Sequence, residues 1–161
     1  MIMSVLDPTG RMGPGAFRDA AITLILIGAV ISLLPWINSS LMSLTYASFL
    51  LIYPWIVIWI KRFHDAGKSG WMFLTVLVPW LIVGGVVSRL VIIPYFAPDF
   101  ASARPTDIPS ALANARALQE SIALPGTIFS VIFSSIVTFG VNALLKSDPG
   151  PNAYDPPPHM R

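Results

Sequence analysis

The sequence predicts an all-α polytopic membrane protein with four transmembrane helices and a short interfacial helix in the outer loop between the third and the fourth. Three observations predict it. Charged residues make up 11% of the 161 positions and apolar residues 55%, where an ordinary soluble domain carries roughly 25% charge. Positions 20–60, 71–88 and 121–145 hold no Asp, Glu, Lys, Arg or His. A hydrocarbon layer about 30 Å thick is crossed by about 20 residues of helix, and the charge-free stretches supply four segments near that length. The chain reads as a single membrane domain over 1–161 with the lipid bilayer as its solvent.

The first span covers Ala20 to Ile37, entered past Arg18 and Asp19 and closed near Pro35 and Trp36. A cleaved signal peptide needs an apolar run of about 7–15 residues and a small-x-small site; this run is longer and leads into more apolar sequence, so it is expected to be retained. Only Asn38, Ser39 and Ser40 precede the second span, Leu41 to Ile60, so the two form an antiparallel hairpin. A loop, 61–70, leads to the third span, Trp71 to Ser88. The fourth runs from Leu124 to Leu145, with Pro125 suited to a first turn, where its missing N–H costs nothing. Helices are required, because strand edges go unsatisfied in lipid.

The connection 89–123 is long for a bundle. Its apolar start, Leu90 to Phe100, is interrupted by Pro94 and Pro98, and Ser110 to Glu120 is rich in helix formers behind the start signals Asp107 and Pro109. That stretch is the expected interfacial helix. The tail 147–161 is proline-rich and expected to be extended.

Placing both termini on the side of the 61–70 loop puts Arg11, Arg18, Lys61, Arg62, Lys68, Lys146 and Arg161 there, against Arg89, Arg104 and Arg116 on the other side. The basic excess of cytoplasmic loops then predicts both termini in the cytoplasm. Trp36, Tyr53, Trp55, Trp59, Trp71 and Trp80 fall towards span ends, the pattern of headgroup anchors.

A net charge of +2 thinly spread offers no basic face to nucleic acid. The absence of cysteine excludes thiolate metal sites and Cys nucleophiles. No cofactor and no metal centre is expected, and no catalytic residue is assigned.

One loop concentrates the chemistry: Arg62, His64, Asp65, Gly67, Lys68, Ser69, Gly70 and Trp71 form the candidate interaction site. His64 and Asp65 have the types of a base and its orienting partner, or of two metal ligands. The structural reading accounts for the same residues: Lys61 and Arg62 meet the last carbonyls of the second helix, Gly67 permits positive φ, Asp65 or Ser69 caps, and Trp71 anchors. The basic residues also suit anionic headgroups. On the fourth span Thr127, Ser130, Ser134, Thr138 and Asn142 share a stripe that reads as a helix-packing face, with Gly28, Ser32, Gly84 and Gly85 serving likewise on other spans. A polar pore lining is the alternative. Ion-coupled transport calls for an ionisable group inside the membrane, and the spans so drawn hold none.

The run Arg62-Phe63-His64-Asp65-Ala66-Gly67-Lys68-Ser69-Gly70-Trp71 resembles the signature of small bacterial inner-membrane proteins of the domain of unknown function 805 family, with Met72 in place of a second tryptophan. Gly10, Arg11 and Phe17 resemble that family's start, without its second arginine. The stretch 149–158 resembles its tail, with Ala153 where an arginine is usual and Asp155 where a glycine is. Against compact members 89–123 looks like an insertion. The resemblance implies fold and membrane location and no activity. The functional expectation is a non-enzymatic accessory or assembly subunit that associates laterally with another membrane protein or complex; the alternative is a small-solute transporter or channel subunit.

Overall fold

The computed structural model of the chain describes residues 7–101 and 106–154. Arg104, Arg161 and the tail positions from Asp155 onward, used above for charge balance and resemblance, lie outside them. The described residues form helices and no strand, and four helices are long and apolar enough to cross a membrane: Pro14–Ile37, Ser40–Asp65, Gly70–Phe96 and Ile108–Leu144.

Helix α1, Pro14–Ile37, opens with proline at its first position and packs along the last helix for much of its length. Its partner in the hairpin begins as a 3-10 segment, Ser39–Leu51, and becomes α-helical only in α2, Ile52–Asp65. Such 3-10 runs rarely exceed four residues. Two local features sustain this one. The hydroxyls of Thr45 and Ser48 donate to the carbonyls three residues back, Met42 and Thr45. Pro54, at the third position of α2, has no N–H to give and crowds the carbonyl of Leu50, so the i→i−4 ladder starts cleanly only beyond it.

A turn through Gly67, at φ +66°, leads to a 3-10 turn, Gly70–Phe73, and α3, Leu74–Val87. The third span does not stop at Ser88. A π-helical turn, Ser88–Ile92, joins α3 to α4, Ile93–Phe96. The cause is Pro94: it lacks an N–H and crowds the carbonyl four residues back, and a wider turn relieves that clash. Helix α5, Pro98–Ala101, follows.

Helix α6, Ile108–Leu144, runs unbroken for 37 residues, about 55 Å. The helix expected over Ser110–Glu120 is its leading part, continuous with the fourth span, and Pro125 lies inside it rather than in a first turn. A capping box starts it: the Asp107 carboxylate accepts from the Ser110 N–H at 2.7 Å, and the Asp107 N–H donates to the Ser110 hydroxyl at 3.2 Å.

The core gathers at one end of the bundle. Phe17 and Ala21 of α1 meet Ile58, Trp59 and Phe63 of α2, with Met12 and Phe73 closing the cluster. Phe17 and Trp59 stand edge to face, centroids 4.7 Å apart. Trp59 is therefore a core residue and not a headgroup anchor, because α2 continues five residues past Ile60 and turns that indole inward; Trp36 and Trp71 remain exposed. The third span is peripheral: none of the α3 residues is buried, and the Trp80 indole N–H donates to Ser134 Oγ on α6 at 3.3 Å.

Candidate functional site

The segment 61–70 is not a free loop. Lys61 to Asp65 are the last turn of α2, and the N-terminal segment and the C-terminal tail fold over it. The resulting clasp is built around Arg62, whose side chain has no exposed surface.

Its guanidinium reaches another helix instead of the carbonyls of its own. Nε donates to Asn142 Oδ1, and Nη2 donates to the carbonyls of Asn142, at 3.2 Å, and of Leu145. These are orphan acceptors at the C-terminus of α6, where the helix dipole favours a cation. Nη1 donates to Asp65 Oδ2 at 2.8 Å. A buried charge is tolerable only when paired and hydrogen-bonded, and Arg62 has both.

Asp65 is consumed by the same network. Its Oδ2 also accepts from Ser147 Oγ at 2.5 Å, its Oδ1 from Arg11 Nη2 at 3.4 Å, and its carbonyl from the Asp148 N–H at 2.7 Å. Arg11 spans the tail, donating from Nη1 to the Gly150 carbonyl at 2.9 Å and from Nη2 to the Asp148 carbonyl. Asp65 caps no helix, and neither does the Ser69 side chain.

His64 does not pair with Asp65. Its Nδ1 lies 3.1 Å from the carbonyl of Gly10, which can only accept, so Nδ1 carries the proton. Its ring stacks on Tyr154, centroids 3.7 Å apart and planes within 3°. The other nitrogen faces Gly70, where a Cβ would stand 2.9 Å from Nε2 and 2.8 Å from Ile60. The base-and-orienter arrangement is thus not assembled: a backbone carbonyl orients this imidazole. Among the described residues no group of three or more His, Cys, Asp or Glu comes together as a metal cage.

Of the remaining loop residues, Gly67 supplies the positive φ and Lys68, Ser69 and Trp71 are exposed. The stripe on α6 divides. Thr127 and Thr138 are buried, with the Thr127 hydroxyl donating to the Ala123 carbonyl of its own helix. Ser134 meets Trp80, and Asn142 joins the clasp, donating from Nδ2 to the Pro14 carbonyl at 3.2 Å. Ser130 is exposed and lines a crevice between α3 and α6.

Ser147, Asp148 and Pro14 belong to the clasp without any signal in the sequence that singled them out. Gly10, Arg11, Gly150, Asn152 and Tyr154 were reachable only through resemblance. Asn152 donates to the His64 carbonyl at 3.1 Å, so three segments far apart in sequence close on one turn.

Two cavities lie towards the opposite end. One, about 330 Å3, is lined by Ser32, Thr45, Gln119 and Thr127 among others. The other, about 360 Å3, is the α3–α6 crevice, lined by Trp80, Gly84, Gly85, Gly126, Phe129 and Phe133 among others.

No curated protein and no solved structure matches the chain. A family model, described as a protein of unknown function (DUF805), matches residues 5–156 and so takes in every residue of the clasp. The chain belongs to the DUF805 family.

Proposed function

We propose that the protein is a non-enzymatic accessory or assembly subunit of a bacterial inner membrane, both termini in the cytoplasm, associating laterally with another membrane protein. The observation that carries this reading is α3, the middle of the third span, left at the edge of the bundle without one buried residue. Its row Leu74, Val78, Ile82 and Val86, at i, i+4 spacing, faces outward and is 39–61% exposed. The groups with chemistry in the clasp support the same reading, since their hydrogen bonds are spent on holding three chain segments together.

Purification of the full chain in a gentle detergent with quantitative mass spectrometry tests it. A stoichiometric membrane partner is expected, lost from Ile82→Trp with the subunit's own unfolding temperature unchanged. Recovery of a monomer without an enriched partner across growth conditions sinks it.

The second reading, a small-solute transporter or channel subunit, is favoured by the hydroxyl-lined cavity between α1, the 3-10 segment and α6. There Gln119 Nε2 donates to Thr45 Oγ1 at 3.1 Å. On that reading, proteoliposomes pass a neutral solute and Thr127→Val with Gln119→Leu suppresses the flux.

A further inference from the structure

The crevice between α3 and α6 has a direction. Along α6 its lining runs from Ile122 to Phe133, about 16 Å of helix, close to the roughly 15 Å depth of one leaflet. At its inner end the Trp80–Ser134 hydrogen bond ties the two helices together and closes it. Its walls are the parallel rings of Phe129 and Phe133, 5.4 Å apart, and its floor on α3 is Gly84 and Gly85, where an added Cβ would meet nothing within 4 Å. The outer mouth is formed by Ser88 and Ile92, in the π-helical turn that holds Arg89.

The depth of Arg89 follows from helix rise. Asn142, in the clasp, lies eight residues from Ser134, and Trp80, opposite Ser134, lies nine residues from Arg89. The two steps place Arg89 about 26 Å from the clasp, at the far edge of a hydrocarbon layer about 30 Å thick. It is exposed and makes no ion pair among the described residues. An apolar slot one leaflet deep, closed near mid-membrane and carrying a cation beside its mouth, complements one kind of molecule. We propose that it is a binding site for a single anionic phospholipid of the leaflet opposite the clasp, the acyl chain lying between α3 and α6 and the phosphate paired with Arg89.

A lone acyl chain explains the slot better than a second transmembrane helix. The opening is narrowed by paired rings and floored by glycine, whereas the outward row Val78, Ile82 and Val86 presents the broad face that a helix needs. This proposal stands apart from the lateral-association reading: the two use different faces of the third span.

Native mass spectrometry of the full chain, with phosphatidylglycerol or phosphatidylcholine added to the micelle, tests it. One phosphatidylglycerol per chain is expected, in preference to phosphatidylcholine. Arg89→Gln is expected to lower phosphatidylglycerol retention about fivefold, to the level of phosphatidylcholine, and Arg89→Lys to keep most of it, since a basic side chain at an anionic surface contributes about 1 kcal/mol. Gly85→Leu fills the slot and is expected to cut retention of both lipids. Equal retention of the two lipids by the wild type, or retention unchanged in Arg89→Gln, overturns the proposal. So does a protein partner or second copy that displaces the phospholipid.

Discussion

Arg62 shows how much one side chain can be asked to do. It lies three positions short of the end of a helix, yet its partners are Asp65 on its own turn and the last carbonyls of a helix 80 residues away. Removing one partner of a buried pair costs about 3–5 kcal/mol, so Arg62→Ala is expected to destabilise the detergent-solubilised protein by that order, read as a large fall in thermal midpoint. Arg62→Lys should recover little of it, because one ammonium cannot serve two carbonyls, an amide and a carboxylate in fixed directions. Gly67→Ala is expected to cost about 1–2 kcal/mol, the strain of a left-handed conformation. Gly70→Ala should cost about 1–3 kcal/mol for a different reason, overpacking against Ile60 and His64, and should loosen the Tyr154 stack that rests on the same ring. The NMR chemical shifts of the stacked His64 and Tyr154 ring protons read the last effect. The need for glycine at 67 was visible in the sequence as a turn; the need at 70 was not, since it depends on where His64 points.

At the scale of elements, two of the prolines coincide with a change in the kind of helix, whereas Pro35, Pro79 and Pro125 lie inside unbroken α-helix. Pro54 and Pro94 each lie near a departure from α geometry, a 3-10 run before the first and a π turn before the second. Proline also misled boundary placement. The sequence ends the third span at Ser88 and starts the fourth at Leu124, but the third span continues to Phe96 and the fourth begins at Ile108. A single proline removes one hydrogen bond from a helix held by many others, and tertiary contact outweighs it: the Ser88–Ile92 turn and α4 both pack on α6. The capping box gives a pH test. The Ser110 backbone N–H, and then its hydroxyl, hold the Asp107 carboxyl below the usual carboxylate range. A carboxylate with a depressed value stabilises the folded form above its ordinary pKa, and that stabilisation is lost as pH falls through the depressed value. The start of α6 is therefore expected to fray in acid, below the ordinary carboxylate range. Asp107→Asn should abolish the pH dependence while keeping the cap, with amide protection at Ser110 and Ala111 as the readout.

For the whole molecule, four spans were legible, because charge-free length is a property of sequence alone, and the segments around Arg11 and Gly150 do meet on one side of the bundle. What was not legible is the joining of those segments. Arg11 and Asp65, or Arg62 and Asn142, carry no spacing rule that pairs them across 54 and 80 residues. The orientation has a direct test, since the sequence has no native cysteine to give background labelling. Single cysteines at Ser69 and Ser110 are expected to react from the cytoplasm and from the periplasm respectively, and labelling of both from one side overturns the assignment.

The clasp also sets an order of events. Arg62 leaves the ribosome long before Asn142, Leu145 and Ser147 exist to receive it, so the first helical hairpin enters the bilayer with its central cation unmatched on that side. Only when the last helix is complete and the tail has turned back over Asp65 does the charge find its acceptors beyond Asp65. The final stretch of translated chain thus acts as the keystone for a contact begun by the second helix, and a chain cut after Leu144 is expected to insert its four spans but to be degraded faster than the intact protein in a pulse-chase experiment.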